Sequence, residues 1–243
     1  MCSSDLPSKE IVRLAHEFGA LAVLDAVCST PHLPVDVRAL DTDFLLCSPY
    51  KFYGPHAGLL YGRAELLERF GRYKVRPAHD RWETGTPSFE GMAAVTAAID
   101  TFAWIGREFG RPLDAEPLAG RRGEIRAGMR AIMRHERALT QRLIDGLGTI
   151  EGITVRGIAA ADRLDERTSI VSFTAAFATP EQVERRLGAA GIQTWSGDFY
   201  AVNAIASLGL AETGGVVRVG LMAYNTEAEV RSEEHTSELQ SRQ

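Results

Sequence analysis

An α/β domain with a mostly parallel sheet, followed by a smaller α+β unit, is predicted by three observations. Short apolar runs that read as buried strands alternate with amphipathic helical segments up to about residue 110, the pattern of a parallel sheet covered by helices. The stretch Gly110-Arg-Pro-Leu-Asp-Ala-Glu-Pro-Leu-Ala-Gly120 then interrupts the periodicity with two prolines and two glycines, a linker signature. Beyond it the strands follow a different arrangement that suits an antiparallel sheet. The expected organisation is a large-domain portion at 7–110, a linker at 111–120 and a small domain at 121–230.

The elements follow in order. Ser8 opens a helix with Ile11, Leu14, Ala15 and Phe18 on one face, closed by Gly19 at the position that favours a left-handed residue. Leu21-Ala-Val-Leu-Asp25 is a strand ending in a carboxylate, and Phe44-Leu-Leu-Cys47 is a second strand, with a short helix near Val35–Leu40 between them. Gly58–Tyr61 is a third strand, Arg63–Phe70 a helix, and 71–88 a long irregular segment of the kind that is usually functional or disordered. Phe89–Glu108 is an Ala-rich helix. After the linker come a long helix to about Leu147, strands at Ile153–Gly157, Ser169–Phe173, Ile192–Trp195 and Val216–Gly220, and helices at Pro180–Ala190 and Tyr200–Leu208. Thr226-Glu-Ala-Glu-Val230 opens a last helix with a good cap and an acidic first turn.

The two ends read differently from the rest. Residues 1–6 and 231–243 resemble translated sequencing adapters, and such segments are kept out of fold reasoning. Residues 7–230 are expected to be authentic. Of 243 residues 45% are hydrophobic, enough for a substantial core, and the net charge is −5, or −3 without the two ends. That balance argues against nucleic-acid or anionic-membrane partners. Cys2, Cys28 and Cys47 form no CxxC and no disulfide framework, which suits a reducing, cytoplasmic setting. His16, His56, His79 and His135 lack metal-ligand spacing, so no metal site is expected. The stripe Arg122, Arg126, Arg130 and Arg134 is interleaved with Glu124 and Glu136 and reads as a solvated helix face.

Chemistry concentrates where the first two strands end. In a parallel α/β sheet, ligands bind beyond the carboxyl ends of the strands. Asp25 ends one strand; Ser48 and Lys51, in Ser48-Pro-Tyr-Lys51, follow the other. An anion, a hydroxyl and an amine therefore converge on one crevice. Pyridoxal phosphate needs that set: an amine to bond its aldehyde, an acid for the ring nitrogen and donors for the phosphate.

The spacing Asp25-Ala-Val-Cys…His32…Asp36-Val…Asp43-Phe…Cys47-Ser-Pro-Tyr-Lys51-Phe-Tyr-Gly-Pro resembles the cysteine-desulfurase-like, class V branch of fold-type-I pyridoxal-phosphate enzymes. The resemblance implies that residues 7–110 correspond to the second half of the cofactor-binding large domain. It implies that Lys51 forms the cofactor aldimine and acts as base at the substrate α-carbon, that Asp25 pairs with the pyridine nitrogen, and that Ser48 binds the phosphate. Tyr50 stands where many relatives carry a phosphate-touching histidine. His32 matches a histidine of the cofactor pocket. Cys28 occupies the place of a residue that contacts the cofactor's phenolic oxygen, where a thiol is a poorer partner. Glu83-Thr-Gly85-Thr86-Pro87 resembles the segment that reaches a neighbouring subunit's phosphate, which implies a homodimer with shared sites. Arg218 matches the arginine that grips the carboxylate of an α-amino acid.

One departure bears on the reaction. Cysteine desulfurases place an arginine and then a sulfur-accepting cysteine in the loop after Ile192; this chain has Trp195 and Tyr200 there. Persulfide transfer needs a thiolate, so desulfuration is not expected. Persulfide-free chemistry remains: lyase-type elimination at a C–S or related bond, racemisation or a side-chain cleavage. Two other readings stay open at this level, a non-catalytic interaction or dimerisation protein of the same fold and a cofactor-free Schiff-base lyase. The resemblance also puts the cofactor's stacking residue and phosphate loop upstream of Pro7, so this chain alone is expected to be inactive.

Overall fold

The computed structural model describes residues 7–70, 82–83, 85–110 and 120–234. Packing divides the chain into two units, one ending at Ala131 and the other beginning at Ile132. Most of the linker expected at 111–120 lies outside the described residues.

The first unit contains α1 (Ser8–Glu17), β1 (Val23–Asp25), α2 (Val37–Leu40), β2 (Phe44–Cys47), β3 (Leu59–Gly62), α3 (Ala64–Arg69), α4 (Phe89–Phe109) and the first turns of α5 (Arg121–Gly148). Its sheet has the order β1-β2-β3. β1 and β2 run parallel, with Asp25 opposite Leu46, whereas β3 runs antiparallel to β2. The parallel pair is the one that matters for the site, because it points both carboxyl ends the same way.

Two local expectations change. Pro7, not Ser8, precedes the first turn of α1, and no side chain caps it. The face expected to be buried is exposed instead: Ile11 and Leu14 are 45% and 48% accessible and Phe18 83%, while Val12 is the buried residue. On the sheet, Leu24, Leu45 and Tyr61 form one cross-strand row and face the packed side. The neighbouring positions Val23, Leu46 and Leu60, on the opposite face, are exposed. Leu67 of α3 and Phe70 just after it pack at the end of that face where Phe44 pairs with Gly62, while Val23, Leu46 and Leu60 stay exposed as an apolar patch that favours self-association.

An ionic network ties α1 to the sheet. The buried carboxylate of Asp43 accepts from the Ala22 amide at 2.7 Å, and it lies 2.9 Å from His16 Nε2 and 3.2 Å from Arg63 Nε. Arg63 also reaches Asp41 at 2.6 Å. Burial pushes the Asp43 carboxyl up, but the Ala22 amide, His16 and Arg63 outweigh it and hold it below the usual carboxylate range. A carboxyl depressed by folding stabilises the native state above its unfolded pKa, and that contribution is lost as pH falls through the folded value. Asp43→Asn should therefore cost about 1–3 kcal/mol at neutral pH. Urea unfolding should show the gap between variant and parent closing in acid; a pH-independent gap would refute the ionic role.

The second unit holds the rest of α5, β4 (Ile153–Arg156), β5 (Ile170–Ala175), α6 (Pro180–Ala189), β6 (Trp195–Gly197), α7 (Val202–Ser207), β7 (Val216–Gly220) and α8 (Glu227–Glu234). Its sheet, β4-β5-β7-β6, is antiparallel throughout, as its sequence style suggests. Val171, Phe173, Val217 and Val219 pack one face against Leu139, Leu143 and Leu147 of α5 and Val183 and Leu187 of α6. Thr179 and Gln182 form a reciprocal capping box at the start of α6, with Pro180 in its first turn. The strand expected at Ile192–Trp195 begins only at Trp195. Thr226 and Glu229 cap α8 in the same reciprocal way, with Thr226 N donating to Glu229 at 2.7 Å.

Candidate active site

Asp25 and Ser48 stand at the same edge of the first sheet because β1 and β2 are parallel neighbours. The ladder extends one step past Asp25, with Ala26 N donating to Leu46 O at 2.8 Å. The chain then turns away. Asp25 Oδ1 accepts from Val27 N at 2.9 Å, so the carboxylate also caps the turn that follows its strand.

Lys51 lies in a 3-10 turn, Pro49–Phe52, directly after β2. Pro49 starts that turn and is buried, and Ser48 precedes it without capping it, which leaves the hydroxyl out of the local turn pattern. Tyr53 takes a left-handed conformation, and Tyr53 N and Gly54 N both return to Pro49 O. Gly54 is required here, since a Cβ on it would sit 2.9 Å from Pro49 Cβ and 3.0 Å from Pro49 O. Phe52 is buried and lies 6.3 Å, centroid to centroid, from Phe102 of α4; Tyr53 lies 5.8 Å from the same ring. The residues flanking Lys51 are thus anchored while Lys51 itself is exposed. Its ammonium sits 5.4 Å from the Tyr50 ring centroid.

The other expected residues divide into two groups. Tyr50 is half-exposed and stacks on His56 at 5.1 Å, a contact the sequence reading did not anticipate. The signal available was a histidine directly after the Gly54-Pro55 turn. His32 is buried in the loop after β1, its amide donating to Ser29 O at 3.0 Å. Cys28 is half-buried and not in a disulfide. Burial pushes the Cys47 thiol up, partly offset by a hydrogen bond from Thr30. Gly85 has a left-handed backbone (φ +77°), and Thr86 is exposed. Thr84 lies outside the described residues. Ser88 caps α4, accepting from Gly91 N at 3.2 Å, so this segment also serves the helix that follows.

Arg218 belongs to the second unit, on β7, opposite Ser172 on one side and Trp195 on the other. Its guanidinium lies 3.9 Å from the Phe199 ring centroid, inside cation–π range. Among the described residues no carboxylate pairs with it. Phe199 and Tyr200 both adopt positive φ, 54° and 63°, which costs about 1–3 kcal/mol each for non-glycine residues. Asp198 holds the turn by accepting from Tyr200 N at 2.9 Å. Sequence reasoning located this loop through what it lacks; the contact between Phe199 and Arg218 was not legible.

The stripe expected to be a solvated helix face is partly a correction. Arg126 is half-buried, 3.7 Å from Asp36, the residue that caps α2. No helix among the described residues is long and apolar enough to cross a membrane. No group of metal-ligating side chains is assembled among them either.

Carboxylate, hydroxyl and amine at one sheet edge form a donor set that fits pyridoxal phosphate: an acceptor for a ring N–H, a donor for phosphate and a nucleophilic amine. The family profile described as aminotransferase class-V matches residues 6–111 and 125–232. A probable cysteine desulfurase of Mycobacterium leprae is 31% identical over 92% of this chain and 51% of its own length. An aminotransferase-like protein of Gibberella zeae is 34% identical over 91% of this chain and 52% of its own. The apo cysteine desulfurase of Thermococcus onnurineus superposes with a TM-score of 0.77 at 26% identity, over 96% of this chain and 56% of that one. The chain thus spans about half the length of these curated relatives. Together with the site at the ends of β1 and β2, these matches place the chain in the class-V aminotransferase family of pyridoxal-phosphate-dependent enzymes, in its cysteine-desulfurase-like branch.

Proposed function

We propose that this chain carries the lysine-bearing part of a pyridoxal-phosphate enzyme that acts on an α-amino acid by lyase-type chemistry. The observation that carries this reading is the delivery of Asp25, Ser48 and Lys51 to one edge by two parallel strands. Bound pyridoxal phosphate supplies an electron sink for the pair left at the substrate α-carbon. Lys51 Nζ anchors it and moves the proton at that carbon. The Asp25 carboxylate accepts from the ring N–H and keeps that nitrogen protonated. Ser48 donates its hydroxyl to the phosphate, with Tyr50 beside it, and His32 and Cys28 line the pocket. Gly85 and Thr86 serve a partner subunit's phosphate in a homodimer. Arg218 takes the substrate carboxylate through paired N–H donors.

Persulfide-forming desulfuration is not the reaction we assign. The loop at 195–200 offers Trp195 and Tyr200 and no thiol. Cys47, at the end of β2, has its thiol pushed up by burial, which lowers the thiolate fraction a sulfur acceptor needs. The test is to incubate the full-length, cofactor-treated enzyme that contains this chain with L-cysteine and a panel of amino acids. Alanine together with a protein persulfide would overturn the assignment, as would a racemised product alone; a keto acid released with the loss of a β-substituent, or a cleaved side chain, without persulfide supports it. Replacing Asp25 by alanine should lower turnover about 100-fold or more while retaining most of the bound cofactor. Equal turnover would refute its electronic role.

A further inference from the structure

The outer face of the second sheet carries a grouping that the reaction chemistry alone does not explain. Strand register sets Arg156, Ser172, Arg218 and Trp195 side by side across β4, β5, β7 and β6. Directly opposed residues project to the same face, so the four side chains form one row. Val155, Phe173 and Val217 occupy the alternate positions and pack into the core.

The two arginines in that row differ. Arg156 donates to Thr174 Oγ1 at 2.8 Å and 3.2 Å. Arg218 instead has the Phe199 ring at 3.9 Å, and among the described residues no side chain or carbonyl accepts from it. Contact with a ring occupies the flat face of a guanidinium and leaves its in-plane N–H groups for a carboxylate. Trp195, opposite Arg218 in the strand register, is 65% accessible, and Tyr200, the residue after Phe199, is 99% accessible.

The placement is fixed rather than incidental. Ser196, the residue after Trp195, donates from its amide to Glu184 at 3.1 Å and from its hydroxyl to the same oxygen, which pins β6 to α6. Gly215 lets the turn close, because a Cβ there would meet Gly197 O at 2.2 Å. The paired left-handed residues Phe199 and Tyr200 then put one ring on the guanidinium and the next in solvent.

We propose that Arg218, Trp195 and Tyr200 form a recognition site for a carboxylate that bears an aromatic side chain, with Phe199 positioning the guanidinium. The substrate class this selects is aromatic α-amino acids. That last step rests on the function proposed above; the recognition site itself does not.

The test uses carboxylates that have no amino group, so that it needs no cofactor. 3-Phenylpropionate, butyrate and glutarate are titrated into the full chain and binding is followed by NMR. 3-Phenylpropionate should bind about tenfold more tightly than butyrate. Trp195→Ala and Tyr200→Ala should remove that preference and leave butyrate binding in place, which also reports that the variants fold. Arg218→Gln should weaken both ligands. Phe199→Leu should weaken both as well, and Phe199→Tyr should restore them, which a purely structural loop residue would not show. Equal affinity for 3-phenylpropionate and butyrate overturns the proposal, as does binding of neither. Tighter binding of glutarate also overturns it and makes Arg156 a second clamp. Cofactor uptake at Lys51 is read separately by absorbance, so the two readings can fail independently.

Discussion

Lys51→Ala should eliminate the long-wavelength absorbance that the protein acquires on incubation with pyridoxal phosphate. The expected loss is complete, because the signal depends on a covalent bond to one amine. The chain is well suited to this test: its lysines are Lys9, Lys51 and Lys74. Borohydride reduction of the loaded protein should fix the label on the peptide containing Lys51 and on neither of the others. Misfolding is not a competing explanation for a lost signal. Lys51 is exposed, and its turn is held by buried Pro49 and Phe52 and by the Phe52 and Tyr53 contacts with Phe102. An exposed substitution of that kind changes stability by about 0.5 kcal/mol or less. An unchanged spectrum, or a label on Lys9, would sink the assignment of Lys51 and with it the role given to the β1 and β2 edge.

What the sequence made legible follows from how local each signal is. The ends of β1 and β2 could be read because an apolar run that stops at a carboxylate, or at Ser-Pro, is a local pattern, and parallel pairing then puts both ends together. Val216–Gly220 was legible as a strand for the same reason. The capping boxes at Thr179 and Thr226 span four residues each and are equally local. Pairing direction was harder: nothing within Leu59–Gly62 says that β3 runs antiparallel to β2. The exposed face of α1 shows another limit. Ile11, Leu14 and Phe18 have the periodicity of a buried stripe, but periodicity identifies a face and not what covers it. The ionic network at Asp43 and the ring on Arg218 were not legible, because each joins residues far apart in sequence through side-chain geometry alone.

Gly106→Ala and Gly128→Ala should each destabilise the first unit, although alanine is the better helix former. In an exposed helix the change from glycine to alanine stabilises by about 0.5–1 kcal/mol. At these positions sterics oppose that gain. A Cβ on Gly106 would lie 1.9 Å from Glu124 O, and one on Gly128 would lie 2.0 Å from Phe102 O. The two glycines are where α4 and α5 bring their backbones together, so the obstructing atoms are carbonyl oxygens and cannot rotate aside. The helices would have to separate by roughly 1 Å or more, loosening the packing around Phe102, Ala103 and Met129, all buried. Overpacking costs about 1–3 kcal/mol and sometimes more, enough to outweigh the propensity gain. Gly188, in α6, provides the opposite case: a Cβ there meets nothing within 4 Å, so Gly188→Ala should be neutral or stabilising. Urea unfolding of the three variants separates the effects. The double variant G106A/G128A should lose less than the sum of its parts, since one separation of the helices relieves both clashes. Full additivity would mean that the two contacts are independent, and a stabilised G106A would mean that the helices do not cross this closely.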